Sequence, residues 1–444
     1  MSDWLERDEK AVWHPYTGLP VLGPKRVITR AAGSYLFDEG GKRYFDATSS
    51  WWCQIHGHCH PRLVKALSHQ AANLDQMLFA PHTHPTAIEL SERLLSVTRS
   101  QFGKVFFSDN GSTAVEVAMK LAVQHWAHRG EKKRVRFLSL EHAYHGDTLG
   151  TIAVSGVPQF HRVFDSLQAK SLSVTAPYCY RCPLSLHYPD CNVECLDSTR
   201  RTLRRYQKEI AAAVIEPLVQ GAGGMITYPK EYLERFVALC QEYGVLTIGD
   251  EVFTGFGRTG TMFAVDQISQ KYDFMCLSKG LTSGMLPLAA TLVRDEIWQG
   301  FTGDTERAFY HGHTFTANAI GCAVALESLR IFEEENVVSR NAHLTKVMAS
   351  QTQRFSGLSV VGDVRHLGMI WAVETVADRA TKRIAQPANA FGWRVATELW
   401  DKGIWIRPLG NVIYVIPPYC TEPKELELVF DVLYDTIQKE SHSL

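Results

Sequence analysis

The chain lacks most of the features that would place it in a special class. It carries almost no net charge, with 46 Lys and Arg against 47 Asp and Glu and a formal balance of −1 at pH 7. A balance of that kind gives no basic stripe or acidic tail, so neither a nucleic-acid partner nor a charged membrane surface is expected. The opening stretch "MSDWLERDEKAVWHPYTG" mixes both charges with Trp and has no apolar signal-peptide core, and no later window approaches 18 uninterrupted apolar residues. A cytoplasmic protein with no membrane partner is the expectation. Ten cysteines in 444 residues are too dilute for a disulfide scaffold, and Cys53, Cys59, Cys240, Cys276, Cys322 and Cys420 are scattered, as reduced core or near-core thiols would be. Internal repeats and low-complexity tracts are missing too, which removes solenoids and disordered linkers from consideration.

What is present is an alternation of short β-rich runs and helical patterns. The runs are "KVFFSD" (104–109), "VRFLSL" (135–140), "AAAVIEP" (211–217), "VLTIGDEV" (245–252), "FMCLS" (274–278) and "LAATLV" (288–293). They are apolar on both faces and separated by helices such as 112–128 and 230–243, which predicts an α/β fold with a mostly parallel sheet covered on both sides. After about residue 335 the texture changes to helix 336–355, strands at "SVVGDVRHLG" and "MIWAVET", helix 387–402, strands "IWIRPLG" and "NVIYVIPP", and helix 422–440. That predicts a smaller α+β domain. The first fifty residues, with "GSYLFDEGGKRYFDA" as a hairpin, are too few for a core of their own and are expected to pack with it. The boundaries read as 1–55, 56–335 and 336–444.

The segment "GDEVFTGFGRTG" (249–260) matches the dinucleotide pattern G-x-G-x-x-G at Gly255, Gly257 and Gly260. A dinucleotide turn lies between the first strand and a helix whose N-terminus holds the pyrophosphate, with an acid about 20 residues further on. Here the glycines come late, "TMFAVDQ" starts no clear helix, and Asp250 and Glu251 already end the preceding strand. A nicotinamide oxidoreductase is therefore the weak reading of this string.

A stronger signal is Asp250 followed, at the end of the next strand, by Lys279 in "CLSKGLTSG". Ligands of α/β sheets gather at the carboxyl ends of strands, so the two would share one crevice. Taken singly, a strand-end Asp is an ordinary turn former and a Lys before Gly an ordinary solvated cation. Together they are the pair that pyridoxal 5'-phosphate needs: a lysine that forms a Schiff base and an acid that keeps the pyridine nitrogen protonated. A phosphate cradle is available in "SDNGSTAVEVAMK" (108–120), where Gly111 and Ser112 open a helix whose free N–H groups attract an anion. Tyr144 in "AYHGDTLG" offers a flat ring, and Glu216 in "VIEPLVQGAGG" ends another strand.

In order and spacing, "SDNGSTAVEVAMK", "YHGDT", "IEPLVQGAGGM", "DEVFTGFGRTG", "LSKGLTSG" and "HGHTFTANAIGCA" resemble the class III aminotransferases of fold type I over nearly the whole chain. The resemblance implies a large domain with a mostly parallel seven-stranded sheet, a smaller α+β domain and pyridoxal 5'-phosphate as cofactor. It implies catalytic roles for Lys279, Asp250 and Tyr144, phosphate contacts from Gly111 and Ser112, and a place for Glu216 at the cofactor's O3' side. Thr314 is implied to reach the phosphate of a neighbouring subunit, hence a homodimer with shared sites. Within the class, "WHPYT" (13–17), "SSWW" with "IHGH" (49–58) and "WIRPLGNVIYVIPPY" (405–419) resemble the branch that serves biotin biosynthesis. That likeness implies 8-amino-7-oxononanoate as acceptor and S-adenosylmethionine as donor, with Tyr16, Trp51, Asp147, Arg258 and Arg407 binding substrate. Other class III enzymes, using lysine or an ω-amino acid, share every cofactor residue and differ at Tyr16, Trp51 and Arg407.

Two features depart from that pattern. His313 stands in "HGHTF" where a proline is expected, and the segment 177–195 brings Cys179, Cys182, Cys191 and Cys195 together at C-x2-C and C-x3-C spacing. Such spacing can serve a structural zinc, but in a cytosolic loop of this family the four are read as thiols, with no metal.

Overall fold

The computed structural model describes residues 3–17, 25–169 and 171–442. Its contacts divide the chain into two compact units, one formed by residues 1–60 with 343–444 and the other by residues 61–342.

The larger unit is built on seven strands. In chain order they are β4 (Lys104–Ser108), β5 (Arg136–Leu140), β6 (Ser171–Val174), β7 (Ile210–Ile215), β10 (Leu246–Asp250), β11 (Phe274–Leu277) and β12 (Ala289–Val293), with a small hairpin of β8 (Val219–Gln220) and β9 (Ile226–Thr227) following β7. The spatial order is β4-β12-β11-β10-β7-β5-β6. β12 runs antiparallel to both β11 and β4, and the other pairings are parallel. Every residue of β7, β11 and β12 is buried, because helices cover both faces of the sheet. β6, "SLSV", has no place among the strands expected from sequence; it is a short edge strand with one buried residue, too polar and too short to show a period.

Helix Gly111–His128 crosses one face of this sheet. Asn110 caps it: the Asn110 side chain accepts from Thr113 N–H at 3.0 Å while the Asn110 N–H donates to Thr113 Oγ1 at 3.2 Å. Its buried side, including Val115, Ala118, Ala122 and Trp126, joins Ala212, Val214, Ile248, Phe274 and Ala289 in one core. The Trp126 indole N–H donates to Ala211 O at 2.8 Å, so the ring is buried without an unsatisfied donor.

The smaller unit has two sheets. β1 (Ile28–Ala32), β2 (Tyr35–Asp38), β3 (Arg43–Asp46) and β15 (Ile404–Trp405) form the first, with β3 and β15 parallel and Asp46 opposite Trp405. β13 (Val361–Leu367), β14 (Ile370–Thr375) and β16 (Val412–Val415) form an antiparallel second. Helices Ala342–Ser356 and Pro423–Ser441 bring Phe355 and Phe430 edge-on to the buried Trp371, at 4.6 and 4.9 Å between ring centres. The single helix expected over 336–355 is two, Val337–Arg340 and Ala342–Ser356, and the break falls at the boundary between the units. Among the described residues no helix is long and apolar enough to cross a membrane.

Candidate active site

Six of the seven strands of the large sheet end on the same edge, all but β12. β4, β11, β10, β7, β5 and β6 all point one way, and the residues immediately beyond the ends of the first five are the chemically distinctive ones. Asp250 closes β10 opposite Cys276 of β11, so Lys279, three residues past Cys276, starts from the neighbouring strand end. Lys279 has a left-handed backbone (φ 41°) at the head of a short 3-10 turn, Lys279–Thr282, and Ser278 Oγ anchors the turn by donating to Leu288 O at 2.9 Å. An L-residue with positive φ is tolerated only where surrounding contacts fix the backbone, which is common at functional positions.

Asp250 is nearly buried. One oxygen accepts from Val252 N–H at 3.1 Å, and the other meets His145 Nδ1 at 2.7 Å. His145 is buried as well, its N–H donates to Ser155 Oγ at 3.0 Å, and its Nε2 has no hydrogen-bond partner. Sequence reasoning missed His145. Its signal was its place directly after Tyr144, but the partner carboxylate lies 105 residues away in the chain.

Glu216 follows β7 and ties two segments together: Tyr144 N–H and Gly221 N–H each donate to one of its oxygens at 2.9 Å. Burial pushes its pKa up to about 7, with Asp250 adding to the rise, while His145 and the two backbone donors pull it down. The half-buried Tyr144 ring is stacked on His161 (5.9 Å, 14°), and its hydroxyl donates to Asp147 at 2.8 Å. His161 Nε2 holds the other Asp147 oxygen at 3.1 Å, so Tyr144, Asp147 and His161 form one linked group.

The start of helix Gly111–His128 fits an anion. N–H groups in a first helical turn have no partner within the helix. Gly111 is bare because a Cβ there would come within 2.6 Å of Val252 Cγ1. Gly146, at φ +125°, lets the Tyr144 loop close over Ser112, since its own Cβ would fall 2.3 Å from Ser112 Oγ. Ser112 Oγ is in turn held by Thr148 and Thr151 hydroxyls at 2.7 and 2.9 Å. A helix-end anion cradle, a lysine and a buried carboxylate on one sheet edge are the donor set that pyridoxal phosphate requires, and the residues present fit it.

Thr314 lies on an exposed stretch with Phe315 and Tyr310, and its carbonyl accepts from the Gln76 amide. His313, expected to be proline, donates its backbone N–H to Thr316 Oγ1 at 3.0 Å and accepts Phe315 N–H on Nδ1 at 3.2 Å. A proline could make neither bond, so the turn is built differently here. Arg258 is buried with no exposed surface.

In the smaller unit, Tyr16, Trp51 and Arg407 come together. Tyr16 and Trp51 meet edge-to-face at 5.6 Å, and the Arg407 guanidinium lies 5.0 Å from the Trp51 ring centre. Trp51 and Arg407 line a cavity of about 930 Å³ whose other walls include Trp393, Trp405, Ile406 and Tyr414. A large cavity with aromatic walls and the Arg407 fork beside Trp51 suits an apolar molecule ending in a carboxylate.

The four clustered cysteines of the larger unit all line one small cavity of about 20 Å³ with Leu184 and Leu186. Burial, reinforced by the other three thiols, pushes the Cys195 pKa up to about 12. Among the described residues no group of three or more His, Cys, Asp or Glu is placed to hold a metal ion.

Comparison with known proteins agrees with this geometry. The family model described as aminotransferase class-III matches residues 21–437. An adenosylmethionine-8-amino-7-oxononanoate aminotransferase of Geobacter sulfurreducens is 42% identical, covering 100% of this chain and 98% of its own. The crystal structure of the protein of that name from Methanocaldococcus jannaschii superposes with a TM-score of 0.92 at 38% identity, over 98% of this chain and 99% of that one. An ω-transaminase from Pseudomonas jessenii, solved as a thermostable variant, gives 0.93 at 31% identity, over 99% of both chains. An amine transaminase from an uncultivated Pseudomonas species, solved with pyridoxal phosphate bound, gives 0.92 at 32%, over 97% of this chain and 98% of that one. With the strand-end lysine, the buried carboxylate and the anion cradle all in place, the chain belongs to the class III aminotransferases, pyridoxal-phosphate-dependent enzymes.

Proposed function

We propose that this enzyme transfers an amino group to 8-amino-7-oxononanoate, giving 7,8-diaminononanoate for biotin biosynthesis in the cytoplasm, with S-adenosylmethionine as the donor. The observation that carries the reading is the Tyr16–Trp51–Arg407 group at an aromatic cavity. Arg407 offers a planar fork to the acceptor's carboxylate, and the Trp and Tyr walls take its methylene chain. The donor is a sulfonium cation, and each well-placed ring of the Tyr16–Trp51 pair attracts it by about 0.5–2 kcal/mol. Relatives bearing the biotin-pathway name at 36–42% identity support the same reading.

When bound, pyridoxal phosphate supplies an electron sink for the carbon whose C–H bond breaks. The Lys279 amine, at the neighbouring strand end, would be the base that holds and moves that proton. Asp250, oriented by His145, would hold the cofactor's pyridine nitrogen in its protonated form, and Tyr144 would offer it a flat ring. Gly111 and Ser112 bind the phosphate. Glu216 positions Tyr144 through its backbone N–H, and Arg258 shapes the loop that follows Asp250. Thr314 serves the phosphate site of a second copy, so the working unit is a homodimer.

A single-turnover screen tests the proposal. S-adenosylmethionine should discharge the visible absorbance of the bound cofactor, and 8-amino-7-oxononanoate should restore it. Discharge by lysine but not by S-adenosylmethionine would overturn the donor assignment, and failure of the oxononanoate to restore the absorbance would overturn the pathway.

A further inference from the structure

We infer that Asp46 is a positioning residue for the substrate wall, acting through the backbone of Ser50 to fix Trp51 and with it the Tyr16–Trp51–Arg407 group; the inference rests on the function proposed above. The segment Ser49–Trp52 has a backbone that its sequence does not favour. Ser49, Ser50 and Trp52 have φ of 48°, 59° and 67°, with no glycine among them. Positive-φ L-residues this close together, on either side of Trp51 at φ −128°, persist only where neighbouring groups over-determine the backbone, and such residues cluster at ligand sites.

Asp46 supplies that determination. It has no exposed surface, and its carboxylate is met by Ser50, His58 and Thr48. Its Oδ2 accepts Ser50 N–H at 2.6 Å and meets His58 Nε2 at 2.8 Å, while its Oδ1 accepts Thr48 N–H at 3.2 Å and the Thr48 hydroxyl at 3.3 Å. His58 is itself pinned by two backbone bonds to Gly33, at 2.8 and 3.1 Å. On the far side of the segment, Ser49 Oγ donates to Ile416 O at 2.7 Å. The same Asp46 stands opposite Trp405 in the β3–β15 pair, two residues before Arg407. Asp46 thus bears on both: its carboxylate holds the Ser50 backbone beside Trp51, and its main chain pairs with the strand that leads to Arg407. The outcome is an indole 42% exposed, displayed into the cavity instead of folded into the core.

Only a carboxylate satisfies this set, since an amide would turn a donor toward either Ser50 or Thr48. Asp46→Asn should therefore let Trp51 move, raising KM for donor and acceptor on the order of tenfold with kcat and cofactor content nearly kept. The decisive experiment is a double-mutant cycle with Trp51→Ala, on the full-length enzyme loaded with cofactor. If Asp46 acts through Trp51, Asp46→Asn adds little KM change in the Trp51→Ala background. An equal rise in KM in both backgrounds, or none in either, overturns the inference. If Asp46→Asn does not fold, His58→Gln, which can still donate to Asp46, should restore the KM lost in His58→Ala, and no difference between the two would equally overturn it. Should the wild type refuse S-adenosylmethionine, the proposed function fails separately, and the cycle is decided with whichever amine the wild type accepts.

Discussion

Replacing Glu216 by Gln would isolate what one buried carboxyl does beside the cofactor. Its oxygens face two N–H donors, from Tyr144 and Gly221, each at 2.9 Å. In the unfolded chain the group titrates near 4.5, and in the folded, cofactor-free protein near about 7, chiefly because burial disfavours the charge. The sign follows directly. Below the unfolded value both states hold the proton and no stability is lost. As pH rises from 4.5 toward about 7, the unfolded chain releases the proton while the folded one keeps it, so folding is progressively disfavoured; above that window the full penalty stands. A rise of this size withdraws about 3 kcal/mol across the window.

Gln does not titrate, so it escapes that penalty, but it points an NH2 donor at one of the two N–H groups. The lost bond costs about 1–3 kcal/mol at any pH. The variant should therefore be less stable than wild type at about pH 5 and as stable or more so at about pH 8. At about 2 °C per kcal/mol for a unit of this size, the Tm difference between the two proteins should swing by about 6 °C in the variant's favour. Thermal unfolding of both apoproteins across that range measures it. Parallel profiles with a constant offset would refute the reasoning, because they would mean that Glu216 does not change its protonation on folding.

Other outcomes follow from the same site. Asp250→Asn should retain cofactor but lower kcat by about 10²–10³, and His145→Ala should do the same more weakly, both read as kcat at saturating substrate with cofactor content measured by absorbance. Mixing Lys279→Ala with Thr314→Ala subunits should recover activity, since each mixed dimer would hold one site with both lesions and one with neither; no recovery under confirmed subunit exchange would count against sharing. Metal analysis of chelator-treated protein should find no stoichiometric zinc at Cys179, Cys182, Cys191 and Cys195; tightly held zinc would reverse that assignment.

The residues that were legible in the sequence are those whose role depends on local placement. Asp250 and Lys279 each stand at the end of an apolar run, and the direction of a parallel sheet brings such ends together without further information. Gly111 and Ser112 were legible for the same reason, as a turn opening a periodic helix. What stayed hidden depends on distant chain. The His145–Asp250 pair joins loops from different strands, β6 was too short and polar to register, and the antiparallel direction of β12 leaves no mark on its composition. Nor could the positive-φ backbone at Ser49, Ser50 and Trp52 be read, because no glycine announces it and its cause is the buried Asp46.

The glycine pattern at 255–260 shows why a local string underdetermines chemistry. A dinucleotide turn works by leaving the N–H groups at the start of a helix open for a pyrophosphate. Here the element after the glycines is a 3-10 turn of four residues, Ala264–Gln267, and its first donors are already taken. Glu251, fully buried beside Asp250, accepts Ala264 N–H at 3.0 Å, Val265 N–H at 2.9 Å and the Thr254 hydroxyl at 2.7 Å. The acid that follows Asp250 therefore closes the glycine loop on itself, occupying the donors that a nucleotide phosphate would need. Arg258 in the same loop is buried, and with Glu251 engaged Asp250, at the strand end, is the acid available to a ligand. The pattern of glycines is shared with dinucleotide enzymes, but the position of one glutamate converts it from an anion-binding turn into a strut behind the Asp250 carboxylate.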